Sequence, residues 1–449
     1  LLLFCLCFLL VLHNEALASG RSEFCNNADA EAFGKKHTPS QSLDSSLGNS
    51  VESQYDSARQ AKIFSARLAR VVIPKACNSP AKVKEARRVA ERGRKLLMSK
   101  QDSRALCLFN RALNLDLRCY PALVNRSVAL SDLHRYDEAE RDLLQAILLR
   151  SDNSEAFNNL GTIYEERDQN LDLARYCYER AVEQRPGNEV MPTNLFEFLL
   201  EQEDYNELLE RSKVAVLRFA SASSYDYYST ALWGTRRFDE ALVAVEKGLK
   251  LFPVSKDLLA RRCEISSAAF SFYLDEGAFL EKRKCFSQAL QFYGKAIAVF
   301  PSDYRGYYYR GALLGRLDRE YEAIRDLNIA CRLAPDCSLI YEIRSFSRAL
   351  TGQYAGAVAD LTKSMRSRRS FVPLSTRSLA YSSMRDYDSA IKDLDEALTL
   401  SDKRTAISCL RWRSDAKWRA GDLVGAALDR VNAEYKQWNE RAAWSQFSH

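Results

Sequence analysis

The sequence predicts an all-α fold of repeated helix pairs, on three observations. The 449 residues hold only 17 glycines and 10 prolines, near half the usual shares of about 7% and about 5%, so the many turns of a β-sandwich lack their residues. Blocks with one shared pattern, each closed by a turn, recur along the chain, as in YDEAERDLLQAI, FDEALVAVEKGLKLFP, FSQALQFYGKAIAVFP and YDSAIKDLDEAL. Small residues return at fixed places once these blocks are laid on a 34-residue grid. A hydrophobic share of 47% can fill a large core, and a net charge of +6 is mild for this length. Composition alone therefore points to neither nucleic acid nor acidic lipid, which need charge concentrated on one face.

Residues 1–12, LLLFCLCFLLVL, are entirely apolar. They are too few for a membrane span of about 20 residues but fit the core of a secretory signal, and Ala16-Leu17-Ala18 supplies a small-x-small cleavage site. A signal peptide over 1–18 is expected, placing the protein in the secretory pathway, secreted or in the ER lumen (the periplasm if bacterial), with no stable span after cleavage. A longer apolar run upstream would instead make an anchor, and a misassigned start would leave a cytosolic or ciliary protein. Removing Cys5 and Cys7 from the twelve cysteines leaves ten, dispersed and without a CxxC, compatible with an oxidising compartment. Residues 19–58 are serine-rich and aperiodic and read as a disordered linker. Residues 59–85 form a short basic amphipathic helix, with Ile63, Phe64, Leu68, Val71 and Val72 opposite Lys62, Arg67 and Arg70. Such a helix either lies on a membrane surface or docks on the end of the main domain, the latter being favoured.

The grid gives ten units, starting at residues 86, 120, 154, 189, 222, 270, 304, 338, 371 and 407 and running to 440. Position 8 is small in every unit except the fourth: Gly93, Ser127, Gly161, Ser229, Gly277, Gly311, Ser345, Ser378 and Ser414, with Phe196 the exception. Position 20 is alanine everywhere except at Leu208, and position 27 is alanine except at Gly248 and Ser364. Small residues let two antiparallel helices and the next unit's first helix approach closely, and large residues at positions 11 and 24, such as Tyr164, Tyr178, Tyr293, Leu314 and Leu327, fill the space between. Pro186, Pro253, Pro301 and Pro335 at position 32 stop the second helix. The fourth unit is expected to pack with distortion. A 14-residue excess near 256–269 is expected to be a lengthened helix or an extra turn, and residues 434–449 a capping helix whose Trp438 and Trp444 cover the last apolar face.

This pattern strongly resembles the tetratricopeptide repeat. The resemblance implies a right-handed α-solenoid of about ten stacked repeats over 86–440, with a concave groove lined by the first helix of each unit.

Arginine at position 7 and aspartate at position 23 occur together in five units: Arg126 with Asp142, Arg310 with Asp326, Arg344 with Asp360, Arg377 with Asp393, and Arg413 with Asp429. Of the other arginines at position 7 only Arg92, facing Leu108, lacks its partner. Joint presence and absence predicts a bidentate contact between the two helices of one unit, a structural ion pair that fixes register and does no chemistry.

No catalytic apparatus emerges. His37, His134 and His449 are far apart, and no GxxxxGK[ST], GxGxxG after a strand, or HExxH is present, so no catalytic residue, cofactor or metal is expected. The carboxylates read as solvated helix-surface groups. Function then belongs to the groove, where the resemblance puts ligand-facing residues at positions 2, 5, 6, 9, 12 and 13. Position 6 carries Asn125, Asn159 and Asn194 in consecutive units; side-chain amides both donate and accept. The row resembles the asparagine ladder of O-linked N-acetylglucosamine transferase, which implies a grip on an extended peptide backbone. Tyr227 and Trp233 in unit five, with Tyr308 and Tyr309 in unit seven, are candidate aromatic anchors. The basic clamp for acidic chaperone tails is not expected, since around Asn125 stand Ala90, Arg94, Glu155 and Asn159. The resulting expectation is a non-enzymatic protein-protein interaction scaffold binding extended segments of other proteins, with a luminal co-chaperone for unfolded chains or a cytosolic or ciliary assembly scaffold as alternatives.

Overall fold

The structure, a computed structural model, describes residues 56–76, 79–150, 152–167, 170–188, 190–366 and 369–445. The expected signal peptide, nearly all of the expected linker, and the side chains of Trp438 and Trp444 lie outside the described residues. Among those described, every regular element is an α-helix, and none is long and apolar enough to cross a membrane.

The chain divides between Ile265 and Ser266 into two compact units. The first holds α1 (Ser57–Leu68) and then the pairs α2 (Pro80–Met98) with α3 (Asp102–Leu115), α4 (Tyr120–Asp132) with α5 (Tyr136–Leu149), α6 (Ser154–Glu166) with α7 (Leu171–Gln184), α8 (Val190–Glu201) with α9 (Tyr205–Phe219), and α10 (Ala222–Gly234) with α11 (Phe238–Leu251). The division falls inside α12 (Lys256–Lys282), so the 14-residue excess is a lengthened helix. The second unit continues with α13 (Phe286–Val299), the pair α14 (Tyr304–Arg316) and α15 (Glu320–Leu333), α16 (Ser338–Leu350) with α17 (Tyr354–Ser364), α18 (Phe371–Ser383) with α19 (Tyr387–Thr399), and α20 (Lys403–Ala420) with α21 (Leu423–Ser445). The first repeat begins earlier than its grid position, because Pro80 starts α2 in the first helical turn, where a missing N–H costs nothing.

One turn joins the two helices in nine of the repeats. Position 15 is left-handed at Lys100, His134, Glu203, Arg236, Lys284, Asp318, Gly352, Arg385 and Gly421, with φ between 54° and 94°. The N–H of the following residue reaches back to the carbonyl of position 11, as in Gln101 to Leu96 (3.0 Å), Arg135 to Leu130 (2.8 Å) and Arg237 to Leu232 (2.8 Å). This is a Schellman cap, which closes the first helix and reverses the chain at once. Only two of these residues are glycines, so most of the turns accept a left-handed conformation that costs an L-residue about 1–2 kcal/mol.

Size matching holds each pair together. A β-carbon at Gly93, Gly161 or Gly277 would meet the ring at position 24, Phe109, Tyr178 or Tyr293, at 2.6, 2.6 and 2.5 Å. Opposite Ser127, Ser229, Ser345 and Ser378, position 24 is the smaller Leu143, Val245, Leu361 or Leu394, all buried; the last repeat departs from this, with Arg430 exposed opposite Ser414. The fourth repeat exchanges the sizes: Phe196 and Leu208 are large and buried, and Ser212 at position 24 is small and fully buried.

The five Arg–Asp pairs are bidentate, with Nε on Oδ2 and Nη2 on Oδ1 at 2.5–2.9 Å. All five aspartates are buried. Asp360 also takes Nη1 of Arg348 at 2.8 Å, and Asp429 takes Lys417 Nζ at 3.1 Å. Burial pushes the Asp142 carboxyl up against the pull of Arg126. Burial also acts on Asp429, but hydrogen bonds from Arg413 and Lys417 hold that carboxyl below its usual range.

The helix at 59–85 differs from its expectation in extent and in face. It starts at Ser57, where Asp56 accepts from Arg59 N at 3.0 Å, and it docks along the side of the repeats, on α5 and α7. Phe64 is buried against Phe157 and Tyr176, with ring centroids at 5.4 and 5.5 Å, while Ile63 and Val72 are exposed. Arg67, expected on the opposite face, sits 5.0 Å over the Tyr164 ring and pairs with Glu140. The docked stripe is Gln60–Phe64–Arg67, at i, i+4 and i+7, and its apolar member is already covered by protein.

Two predictions follow for stability. Gly277→Ala should lower the melting temperature through overpacking of about 1–3 kcal/mol against Tyr293, whereas Gly187→Ala, with open space around it, should leave it unchanged. Asp360→Ala strands Arg344 and Arg348 and should cost about 3–5 kcal/mol in denaturant unfolding; the triple change Arg344→Met, Arg348→Met, Asp360→Leu should cost less. Equal losses would contradict the pairing.

Candidate functional site

The face carried by the first helices of repeats three to five is tied together by side chains that reach from one repeat to the next. Asn194 Nδ2 on α8 donates to Asn158 Oδ1 on α6 at 2.8 Å. The Tyr227 hydroxyl on α10 donates to Glu197 Oε1 on α8 at 3.2 Å. Arg261 Nε on α12 donates to Asp226 Oδ1 on α10 at 2.9 Å and lies 5.8 Å from the Trp233 ring centroid. Asn158, Asn194, Glu197, Asp226 and Tyr227 stand at positions 5, 6, 9, 5 and 6, all groove positions of the grid. A row of helix ends and loops would be mobile, but this row lies on packed helices and is held in place on both sides.

The three asparagines share a helix position but not a state. The Asn125 amide donates to the Pro121 carbonyl of its own helix at 2.7 Å, and Asn194 is engaged by Asn158. Asn159 is half-exposed and has no hydrogen bond within the described residues. A ladder of three equivalent free amides is therefore replaced by one open amide flanked by two that are engaged, one by its own helix and one by the preceding repeat.

The aromatic candidates also separate. Tyr227 is half-buried and packs on Phe196 at 5.3 Å, with burial first and the Glu197 carboxylate next pushing its phenol up. Trp233 is half-buried at the edge of the same core. Tyr308 is corrected: it is buried with Leu327, Ile340 and Tyr341, because position 5 of α14 turns toward the following repeat's α16, and it offers no surface to a ligand. Tyr309 stacks on Tyr293 at 5.6 Å and 15°, which leaves only part of its ring exposed. The five Arg–Asp pairs lie within the helix pairs and take no part in this face.

The residues that sequence reasoning passed over are acidic. Glu165, Glu197 and Glu201 fall at positions 12, 9 and 13 of repeats three and four, joined by Asp226. Tyr178 donates to Glu165 Oε2 at 2.8 Å. Burial, and then the neighbouring Glu201 carboxylate, push the Glu165 carboxyl up against the downward pull of Tyr178. Glu197 and Glu201 are exposed. With Arg261 already engaged by Asp226, the exposed carboxylates of Glu197 and Glu201 beside Glu165 make this face acidic. Their signal was present in the grid positions, hidden by reading each carboxylate as helix-surface solvation. Among the described residues, no three His, Cys, Asp or Glu side chains converge as a metal site.

Comparison with known proteins gives a match to the tetratricopeptide repeat at residues 125–189 and again at 374–404. No curated protein matches the sequence. Among solved structures, the MamA protein is 18% identical, with 39% of this chain and 96% of that one covered and a TM-score of 0.38. MamA from Desulfovibrio magneticus RS-1 gives 16%, 38%, 96% and 0.37 in the same order. The TPR domain of P58(IPK) gives 16%, 67%, 99% and 0.26. The two sequence matches, together with the 34-residue succession of helix pairs, show that this chain carries tetratricopeptide repeats.

Proposed function

We propose that the first helices of repeats three to five hold an extended segment of a partner protein that carries lysine or arginine side chains. A protein-protein interaction scaffold is what these repeats make; the finer reading rests on the acidic row Glu165, Glu197, Glu201 and Asp226 along the groove positions of one packed face. Asn159 offers its amide to the backbone of the segment, and the exposed flank of Tyr227 and Trp233 offers apolar contact beside it. A cationic side chain near Glu165 and Glu201 counters the burial, and the smaller repulsion from Glu201, that raise the Glu165 carboxyl. Nothing in this role calls for bond making, and the scaffold acts by positioning its partner.

The sign of the pH dependence follows from the raised Glu165. A cation favours the ionised carboxylate, so binding is full above the raised titration range and is lost as the pH falls through it. Anisotropy with a labelled, lysine-rich extended peptide should show this loss and a fall in affinity with added salt. The double variant Glu165→Gln, Glu201→Gln should bind about tenfold more weakly or worse with its melting temperature unchanged or raised. Equal binding by wild type and double variant, or equal binding of an acidic peptide, would refute the proposal.

A further inference from the structure

Each Arg–Asp pair leaves one guanidinium nitrogen, Nη1, facing the preceding repeat, and in four pairs that nitrogen finds an acceptor at grid position 25. Arg126 donates to Asn110 at 2.8 Å, Arg344 to Asn328 at 2.9 Å, Arg377 to Thr362 at 2.8 Å and Arg413 to Asp395 at 2.5 Å. For Arg310 the same position is Gly294, where a β-carbon would stand 3.7 Å from Nη1. No acceptor among the described residues meets that nitrogen. Beside it a cavity of about 450 Å³ opens between α13, α14 and α15, with Leu290 and Leu314 on its walls and Arg325 at its rim. Arg325 is exposed and forms no ion pair among the described residues. Arg319, also on the lining, is neutralised by Glu322 through two hydrogen bonds of 2.7 and 2.8 Å.

The first unit shows what such a groove holds. There α1 lies on α5 and α7, and its side chains meet Glu140, Tyr164 and Tyr176. These occupy positions 21, 11 and 22 of the grid. Leu290, Leu314 and Arg325 occupy those same three positions around the cavity. The two grooves are therefore equivalent places in the repeat, and the one in the first unit is filled by an amphipathic helix. Their chemistry is opposite. The α1 seat presents Glu140 and Asp172 to Arg67 and Gln60, whereas the cavity presents two leucines, the spare N–H of Arg310 and the cation of Arg325.

We infer that the groove between α13 and α15 is a docking site for an amphipathic helix of a partner protein, with an apolar face on Leu290 and Leu314 and an aspartate or glutamate reaching Arg310 Nη1 and Arg325. The carboxylate takes the place that Asn110, Asn328, Thr362 and Asp395 fill in the other repeats, making a charge-assisted hydrogen bond of the strong kind. This site is separate from the acidic face of repeats three to five and selects a partner of the opposite charge.

The probe is a labelled peptide of the α1 sequence, Ser57–Leu68, with Arg59→Glu, Lys62→Glu and Arg67→Glu, titrated into the full chain by anisotropy. It should bind wild type, and bind about tenfold more weakly or worse to Gly294→Asn, which restores the internal acceptor, and to Arg325→Glu. Both variants should melt at or above the wild-type temperature, since Gly294 has room and Arg325 is exposed. The unmodified basic α1 peptide should show no dependence on either substitution, and free glutamate or inorganic phosphate should not displace the probe at matched concentration. Probe affinity unchanged in both variants would overturn the inference. Displacement by glutamate or phosphate alone would overturn it as well, by showing a small-anion site in place of a helix groove.

Discussion

Everything in this protein depends on how closely two helices of one repeat can approach, and that distance is set by a single shared volume. Position 8 of the first helix and position 24 of the second divide the space of one large side chain. Glycine faces a ring at Gly93 with Phe109, Gly161 with Tyr178 and Gly277 with Tyr293, serine accompanies an aliphatic residue in four repeats, and the fourth repeat reverses the order with Phe196 and Ser212. Because close packing tolerates neither a void nor an excess methyl group, these repeats trade volume between the two positions. The turn at position 15 and the bidentate Arg–Asp pairs then lock the pair in one register.

That frame decides which residues are left for function. Packing claims positions 8, 20, 24 and 27, the turn claims 11 and 15, and the ion pair claims 7 and 23. What remains on the first helices is positions 5, 6, 9, 12 and 13, and in repeats three and four these are rich in carboxylates. What remains between the second helices is a groove, which α1 covers at α5 and α7. Two surfaces of opposite charge therefore arise from one repeat, one acidic along α6, α8 and α10, the other basic between α13 and α15.

Much of the frame was legible in the sequence, because its signals are sizes and spacings: alanine at position 20, small residues at 8, and the coupled Arg126–Asp142 type pairs. Other features were hidden for physical reasons. The left-handed turn is built from Lys100, His134, Glu203, Arg236 and Lys284, residues with no turn signature, whose strain is carried by the surrounding hydrogen bonds. Arg67 looked solvent-facing because charge suggests exposure, yet a tyrosine ring and Glu140 receive it. Asn125 looked free because its acceptor is its own backbone, and Tyr308 looked like an anchor although the next repeat covers it. Gly294 is silent as a letter and becomes informative only beside the four acceptors that it replaces.

The central claim is that the repeat frame leaves the acidic groove positions of repeats three to five as the surface that holds a partner. Hydrogen–deuterium exchange of the full chain, with and without a saturating lysine-rich extended peptide, tests it most directly. The account predicts new protection concentrated in α6, α8 and α10, with α16 to α21 unchanged. Protection confined to other helices, or spread evenly along the chain, would contradict it.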